Sequence, residues 1–154
     1  KMYMEFNRPI VPRAWELVMQ TIDHIQSMSC PTVYRVTIIK GFNTGEQDID
    51  GFAKLVERGN PTYVEVKAYM YMGRSRGRLY PENMPSHEEV REFARKLADK
   101  IGYMVLSESI PSRIVLLSRI KRPVRHGKGC PDGVEYPEKW CRLLTREYEE
   151  MKEL

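Results

Sequence analysis

Polar or charged residues fall on one face of two short β-forming stretches. In Tyr63–Met70, the side chains of Tyr63, Glu65, Lys67 and Tyr69 share one face, and Val64, Val66, Ala68 and Met70 share the other. In Val33–Ile39, Arg35 and Thr37 oppose Tyr34, Val36 and Ile38. Lys67 could contact an anionic substrate or, once desolvated, form a Schiff base. It could equally pair with Glu65, two positions away on the same face. Arg35 suits bidentate recognition of a carboxylate or phosphate, or a salt bridge to Glu65 on the next strand. The C-terminal ends of these strands carry Lys40, the Gly41 turn and Asn43 on one, and Lys67, Tyr69, Gly73 and Ser75 on the other. In parallel α/β folds that edge is where chemistry is placed. A helix is expected after each strand, so the sheet between them reads as parallel, with both faces covered. A covered charged face needs partners for its charges or a wet cavity.

Other chemistry is poorly represented. Three cysteines, Cys30, Cys130 and Cys141, are widely spaced without a CxxC, which disfavours a disulfide framework or a self-contained zinc or iron–sulfur site. His87 reads as a first-turn helix residue, and His24 and His126 lack a constellation. No Ser–His–Asp pattern or glycine-rich phosphate loop is recognisable. The net charge of +4 is concentrated in two segments. Arg74, Arg76 and Arg78 form one; Arg119, Lys121, Arg122, Arg125 and Lys128 form the other. Each is either a solvated loop or a surface for nucleic acid or another polyanion. No secretory leader is visible, and no apolar run reaches the roughly 20 residues of a membrane span. The expectation is a cytoplasmic chain that meets no membrane, or one whose N-terminus lies upstream of Lys1.

The positioning elements follow from periodicity. A polar, irregular stretch is expected up to Pro12. Trp15, Val18, Met19, Ile22 and Ile25 then mark one face of a helix. The strand Thr32–Lys40 follows, then a helix with Ile49, Phe52, Ala53 and Val56 on one face, stopped at Gly59-Asn60-Pro61. After the strand Thr62–Met70 and a long loop, Tyr71–Pro85, Ser86 and Glu89 form a capping box. Val90, Phe93, Ala94, Leu97, Ala98 and Ile101 are the apolar stripe behind it, and Gly102 ends that helix. Two short strands at 103–107 and 112–119 read as a hairpin. A basic loop and a last helix from Pro137 complete the chain. Strands alternating with helices imply an α/β class, yet two parallel strands cannot close a barrel. A fragment of a larger barrel accounts for this.

Several segments together resemble one family. They are Arg8-Pro9, Trp15, Thr32–Asn43, Gly59–Pro61, Val64–Met70, Asn83–Val90 and Ser112–Leu117, and the terminal helix with Arg146–Glu149 is also similar. The set resembles the radical SAM enzymes of wybutosine synthesis, the 4-demethylwyosine synthases, over nearly the whole chain. The resemblance implies an α/β fold, the C-terminal half of a partial (βα)6 TIM-like barrel at 1–102. A strand-strand-helix extension with the basic loop would occupy 103–154. It implies a lyase that uses S-adenosylmethionine and a 4Fe-4S cluster. The reaction joins a two-carbon unit of pyruvate to N1-methylguanosine, 3′ of the anticodon of tRNA-Phe, giving 4-demethylwyosine. A flavodoxin-type electron donor is implied as a further partner.

The CxxxCxxC motif of that family is absent, so the cluster-binding half would precede Lys1, and this chain alone would be inactive and hold no cluster. Under the resemblance, Arg35, Thr37, Lys40 and Asn43 would lie near S-adenosylmethionine. Lys67 would be catalytic. Glu65, Tyr69, Arg74, Ser75, Arg76 and Arg78 would meet substrate or tRNA, and no metal ligand would come from this chain. Two other readings remain: a noncatalytic RNA-binding α/β module, and a different barrel enzyme whose anionic substrate pairs with Arg35 and Lys67.

Overall fold

The best-specified element begins at Ser86. Its Oγ accepts a hydrogen bond from the Glu89 backbone N–H at 3.2 Å, and Glu89 Oε2 accepts from the Ser86 N–H at 2.7 Å. The capping box thus satisfies two donors that a helix start leaves orphaned. The helix runs His87–Ile101 and stops at Gly102, whose φ of 69° is left-handed backbone that glycine adopts without a Cβ penalty. The whole is a computed structural model that describes residues 2–121. The basic loop beyond Lys121, with Cys130, and the helix expected from Pro137, with Cys141, lie outside the described residues.

In chain order the elements are α1 (Met2–Asn7), α2 (Ala14–Ile25), β1 (Val33–Ile38), α3 (Glu46–Gly59), β2 (Tyr63–Ala68), α4 (His87–Ile101), β3 (Met104–Ser109) and β4 (Ile114–Ser118). Two 3-10 turns, Gly73–Gly77 and Pro81–Asn83, shape the segment expected to be a plain loop. The N-terminal stretch corrects the expectation of an irregular segment, because Met2–Asn7 is helical. Its aromatic residues give it a seat: the Tyr3 ring lies 5.2 Å from that of Trp15, and Phe6 meets Phe42 edge-on at 4.9 Å.

One mixed sheet, in the order β1-β2-β4-β3, organises the rest. β1 and β2 are parallel, with Arg35 opposite Glu65 and Thr37 opposite Lys67. β4 returns antiparallel beside β2, placing Leu116 against Glu65 and Ile114 against Lys67. β3 pairs antiparallel with β4 through a register shift between Val105 and Ser107. α3 and α4 cover one face only. Val36, Ile38, Val64, Val66, Val115 and Leu117 meet Ile49, Val56, Val90, Phe93 and Leu97 there, in one apolar cluster. The opposite face, with Arg35, Thr37, Glu65, Lys67, Ile114 and Leu116, is exposed or half-buried. The covering expected on both faces is therefore present on one, among the described residues.

The hairpin is tied to α4 by charge. Arg91 Nε and Nη2 donate to the two oxygens of Glu108 at 2.8 and 2.9 Å, and His87 Nε2 lies 3.0 Å from the same carboxylate. His87, in the first turn of α4, is thus a buried structural partner of the hairpin. The hydrogen bonds from Arg91 and then His87 hold the Glu108 carboxyl down at about 2, from an ordinary value of 4.5. A depressed carboxylate adds stability above its ordinary value, and that stability is lost as pH falls from 4.5 to about 2. Glu108→Gln should therefore lower the melting temperature at pH 7, with the gap to wild type closing as pH falls through that window. Thermal melts across the range check this, and a gap independent of pH would refute it.

Candidate functional site

The open sheet face collects the charged residues that the alternation singles out. Arg35 lies along Glu65, Nε at 2.9 Å from Oε1 and Nη2 donating to Oε2 at 3.2 Å. This ion pair, with its one hydrogen bond to Oε2, joins β1 to β2, and Glu65 is the more buried partner. Lys67 follows on the same face, half-buried, with no carboxylate or hydrogen-bond acceptor as partner among the described residues. Thr37 stands opposite it and is exposed. Of the two partners that Glu65 could take, the structure gives it Arg35.

At the C-terminal end of β2, the Tyr69 hydroxyl lies 2.8 Å from Ser75 Oγ, and Ser75 Oγ donates to the Met72 carbonyl at 2.6 Å. Both residues border a cleft of about 520 Å³ beside the end of β1. Arg35, Thr37 and Arg78 are among its polar lining, and Tyr3, Phe6 and Trp15 among its aromatic one. Rings with a few convergent polar groups, in a volume of this size, suit a nucleoside-sized ligand. The aromatic wall is the part that sequence reading missed. Its signal was the spacing of Tyr3 and Phe6, one helical turn apart in a segment taken as irregular.

Other expected site residues are committed to the fold. Asn43 is buried; its Oδ1 accepts from the Ile39 N–H at 2.5 Å and its Nδ2 donates to the Thr37 carbonyl at 3.1 Å. It thereby closes the turn from Ile39 to Asn43, which contains Gly41, and lines the cleft. Lys40 Nζ meets Glu89 at 2.6 Å, and the Lys40 backbone exchanges hydrogen bonds with Asn83. This ion pair, with the capping bond to Ser86, keeps the Glu89 carboxyl below its ordinary range.

The arginine segment lies next to the same cleft. Arg78 Nη1 donates to the Phe6 carbonyl at 2.8 Å, and the Arg76 guanidinium sits 5.3 Å from the Tyr71 ring centre. Arg74 and Arg76 are exposed. Among the described residues, no group of three or more His, Cys, Asp or Glu side chains could hold a metal ion, and Cys30 is an exposed thiol. These residues offer an iron–sulfur cluster no ligand set. No helix among them is long and apolar enough to cross a membrane.

Comparison with known proteins gives a consistent set. Residues 58–119 match the family described as wyosine base formation. The S-adenosyl-L-methionine-dependent tRNA 4-demethylwyosine synthase of Pyrococcus abyssi is 41% identical over 118 residues, covering 76% of this chain and 34% of that protein. The Oryza sativa synthase is 36% identical over 125 residues, 79% of this chain and 19% of its own. A solved structure of TYW1 with a lysine-pyruvate adduct bound superposes with a TM-score of 0.63 at 31% identity, covering 74% of this chain and 35% of that one. A crystal structure of archaeal TYW1 gives 0.56 at 28% identity, over 71% and 34%. The chain thus spans about a third of the length of its archaeal relatives.

Proposed function

Since this chain belongs to the family of the tRNA 4-demethylwyosine synthases, we propose that it forms the C-terminal half of such an enzyme's partial (βα)6 barrel. The complete protein would join a two-carbon unit of pyruvate to N1-methylguanosine in tRNA-Phe. The observation that carries this reading is the open, charged sheet face beside an aromatic-lined cleft. A barrel wall needs one face packed on helices and the other turned to a lumen, and this sheet has that division. The relative with a bound lysine-pyruvate adduct supports pyruvate as the second substrate.

S-adenosylmethionine would take the cleft at the end of β1. It would supply a radical when reductively cleaved, with electrons from a flavodoxin-type donor. Tyr3, Phe6 and Trp15 offer rings for its adenine, Thr37 offers a hydroxyl, and Asn43 holds the turn beneath. The cluster would be held elsewhere in the complete protein, because these residues have no ligands for it. Lys67 would hold the carboxylate of a bound reactant on the open face, and Glu65 and Tyr69 would border it. Arg74, Arg76 and Arg78, beside the cleft mouth, would meet tRNA phosphates. The compartment would be the cytoplasm.

The test is an Arg74/Arg76/Arg78 triple alanine variant of the complete protein, assayed for tRNA binding against salt and for 4-demethylwyosine. Losing three phosphate contacts should weaken binding and make the log–log salt slope shallower by about 2 to 3. An unaltered slope removes the segment from the interface. A wild-type protein that binds tRNA but makes no tricyclic base overturns the enzymatic reading in favour of an RNA-binding module.

A further inference from the structure

On the open sheet face, we propose that Arg35 is a positioning residue: by occupying Glu65 it leaves the Lys67 ammonium free to bind a small oxyanion. This rests on the reading of the open face as a reaction chamber wall and adds to it a division of labour within the face. Three charges sit there in a fixed register. Glu65 lies between Arg35, directly opposite on β1, and Lys67, two positions on along β2. Residues two apart on a strand share a face about 7 Å apart, so the flexible Lys67 side chain is within reach of the Glu65 carboxylate.

The structure shows that carboxylate turned the other way: Arg35 Nη2 donates to Oε2, and Nε stands 2.9 Å from Oε1 as an ion pair without a second hydrogen bond. A planar fork matches a carboxylate at two points, whereas an ammonium meets it at one. The Glu65 side chain is 15% exposed, so it has little water to turn to if Arg35 is removed. Its nearest replacement cation on the face is Lys67. The pair therefore does more than join β1 to β2. It neutralises the one carboxylate that, among the described residues of this face, would compete with a bound anion, beside Thr37 and Ile114. The ligand chemistry is a carboxylate or a phosphate of small size.

The experiment is NMR titration of the Lys67 ε-methylene signal in the full chain, with pyruvate and with inorganic phosphate as separate probes. Wild type should show a saturable shift with at least one of them, and the probe that saturates identifies carboxylate or phosphate as the preferred ligand. Arg35→Gln should weaken that binding by about 5-fold, the loss expected when a cation open to solvent on one side acquires a neighbouring carboxylate. The Arg35→Gln/Glu65→Gln double variant should return to within about 2-fold of wild type, since the competitor is gone. Glu65→Gln alone should bind as well as wild type or better, which keeps the test available if Arg35→Gln fails to fold. A wild-type signal that ignores both anions overturns the proposal. So does an Arg35→Gln variant of unchanged affinity, a double variant as weak as the single, or weaker binding by Glu65→Gln. These readouts need no turnover, so they stand apart from the wyosine-forming assay of the complete protein, and either can fail alone.

Discussion

Lys67→Ala in the complete enzyme should lower 4-demethylwyosine formation by at least about 100-fold, the usual cost of removing one preorganised electrostatic contact at a reacting centre. The expectation comes from where the ammonium stands. It projects from the central strand of the sheet onto the open face, half-buried, with no ion-pair partner among the described residues. Its removal should leave the melting temperature close to that of wild type, because no buried group loses a partner. Binding of tRNA should also persist, since the arginine segment is untouched. Lys67→Arg separates charge from shape: the charge is kept, but the point donor becomes a fork. Product formed at near wild-type rate by Lys67→Ala would rule out an essential role for this lysine.

Phe93→Ala should cost about 3–5 kcal/mol of folding stability. Phe93 is 4% exposed at the centre of α4, inside the apolar cluster, and meets Phe52 of α3 edge-on with ring centres 6.0 Å apart. Truncation removes the ring's transfer free energy and leaves a void between two helices and the sheet, which close-packed neighbours fill only in part. The aromatic pair adds a further fraction of the total. Denaturant unfolding of the full chain measures the change. A loss below about 1 kcal/mol would mean that α3 and α4 close over the gap, and that the helix layer is softer than its packing implies.

Helices α2 to α4, the strands and the hairpin were legible because their signals are local. The Ser86–Glu89 box, Gly102 and the stripe from Val90 to Leu97 fix α4 through hydrogen bonds and burial that span one or two turns. Alternation along Tyr63–Ala68 separated the charged face from the apolar one, and the structure keeps that separation. Three features were not legible. α1 has six residues and no capping signal, so its rings find partners only in three dimensions. The place of β4 beside β2 depends on which sheet edge the hairpin reaches, and periodicity along one strand does not encode its neighbour. The exchange of partners at Glu65 was visible only as two alternatives. Choosing between Arg35 and Lys67 required the register of β1 on β2.

The order β1-β2-β4-β3 also has a meaning in time. The unit from β1 through α3 to β2 is contiguous in sequence and can assemble from neighbouring contacts. The central ladder cannot, because Val64 meets Leu117 only after the whole of α4 and the hairpin have intervened. Non-local strand pairing is slow because loop closure precedes the contacts that reward it. Docking of the β3–β4 hairpin against β2 is therefore the step expected to be slowest, and refolding kinetics of variants in β4 would check it. Until it occurs, one edge of the central strand is bare and open to pairing with another chain.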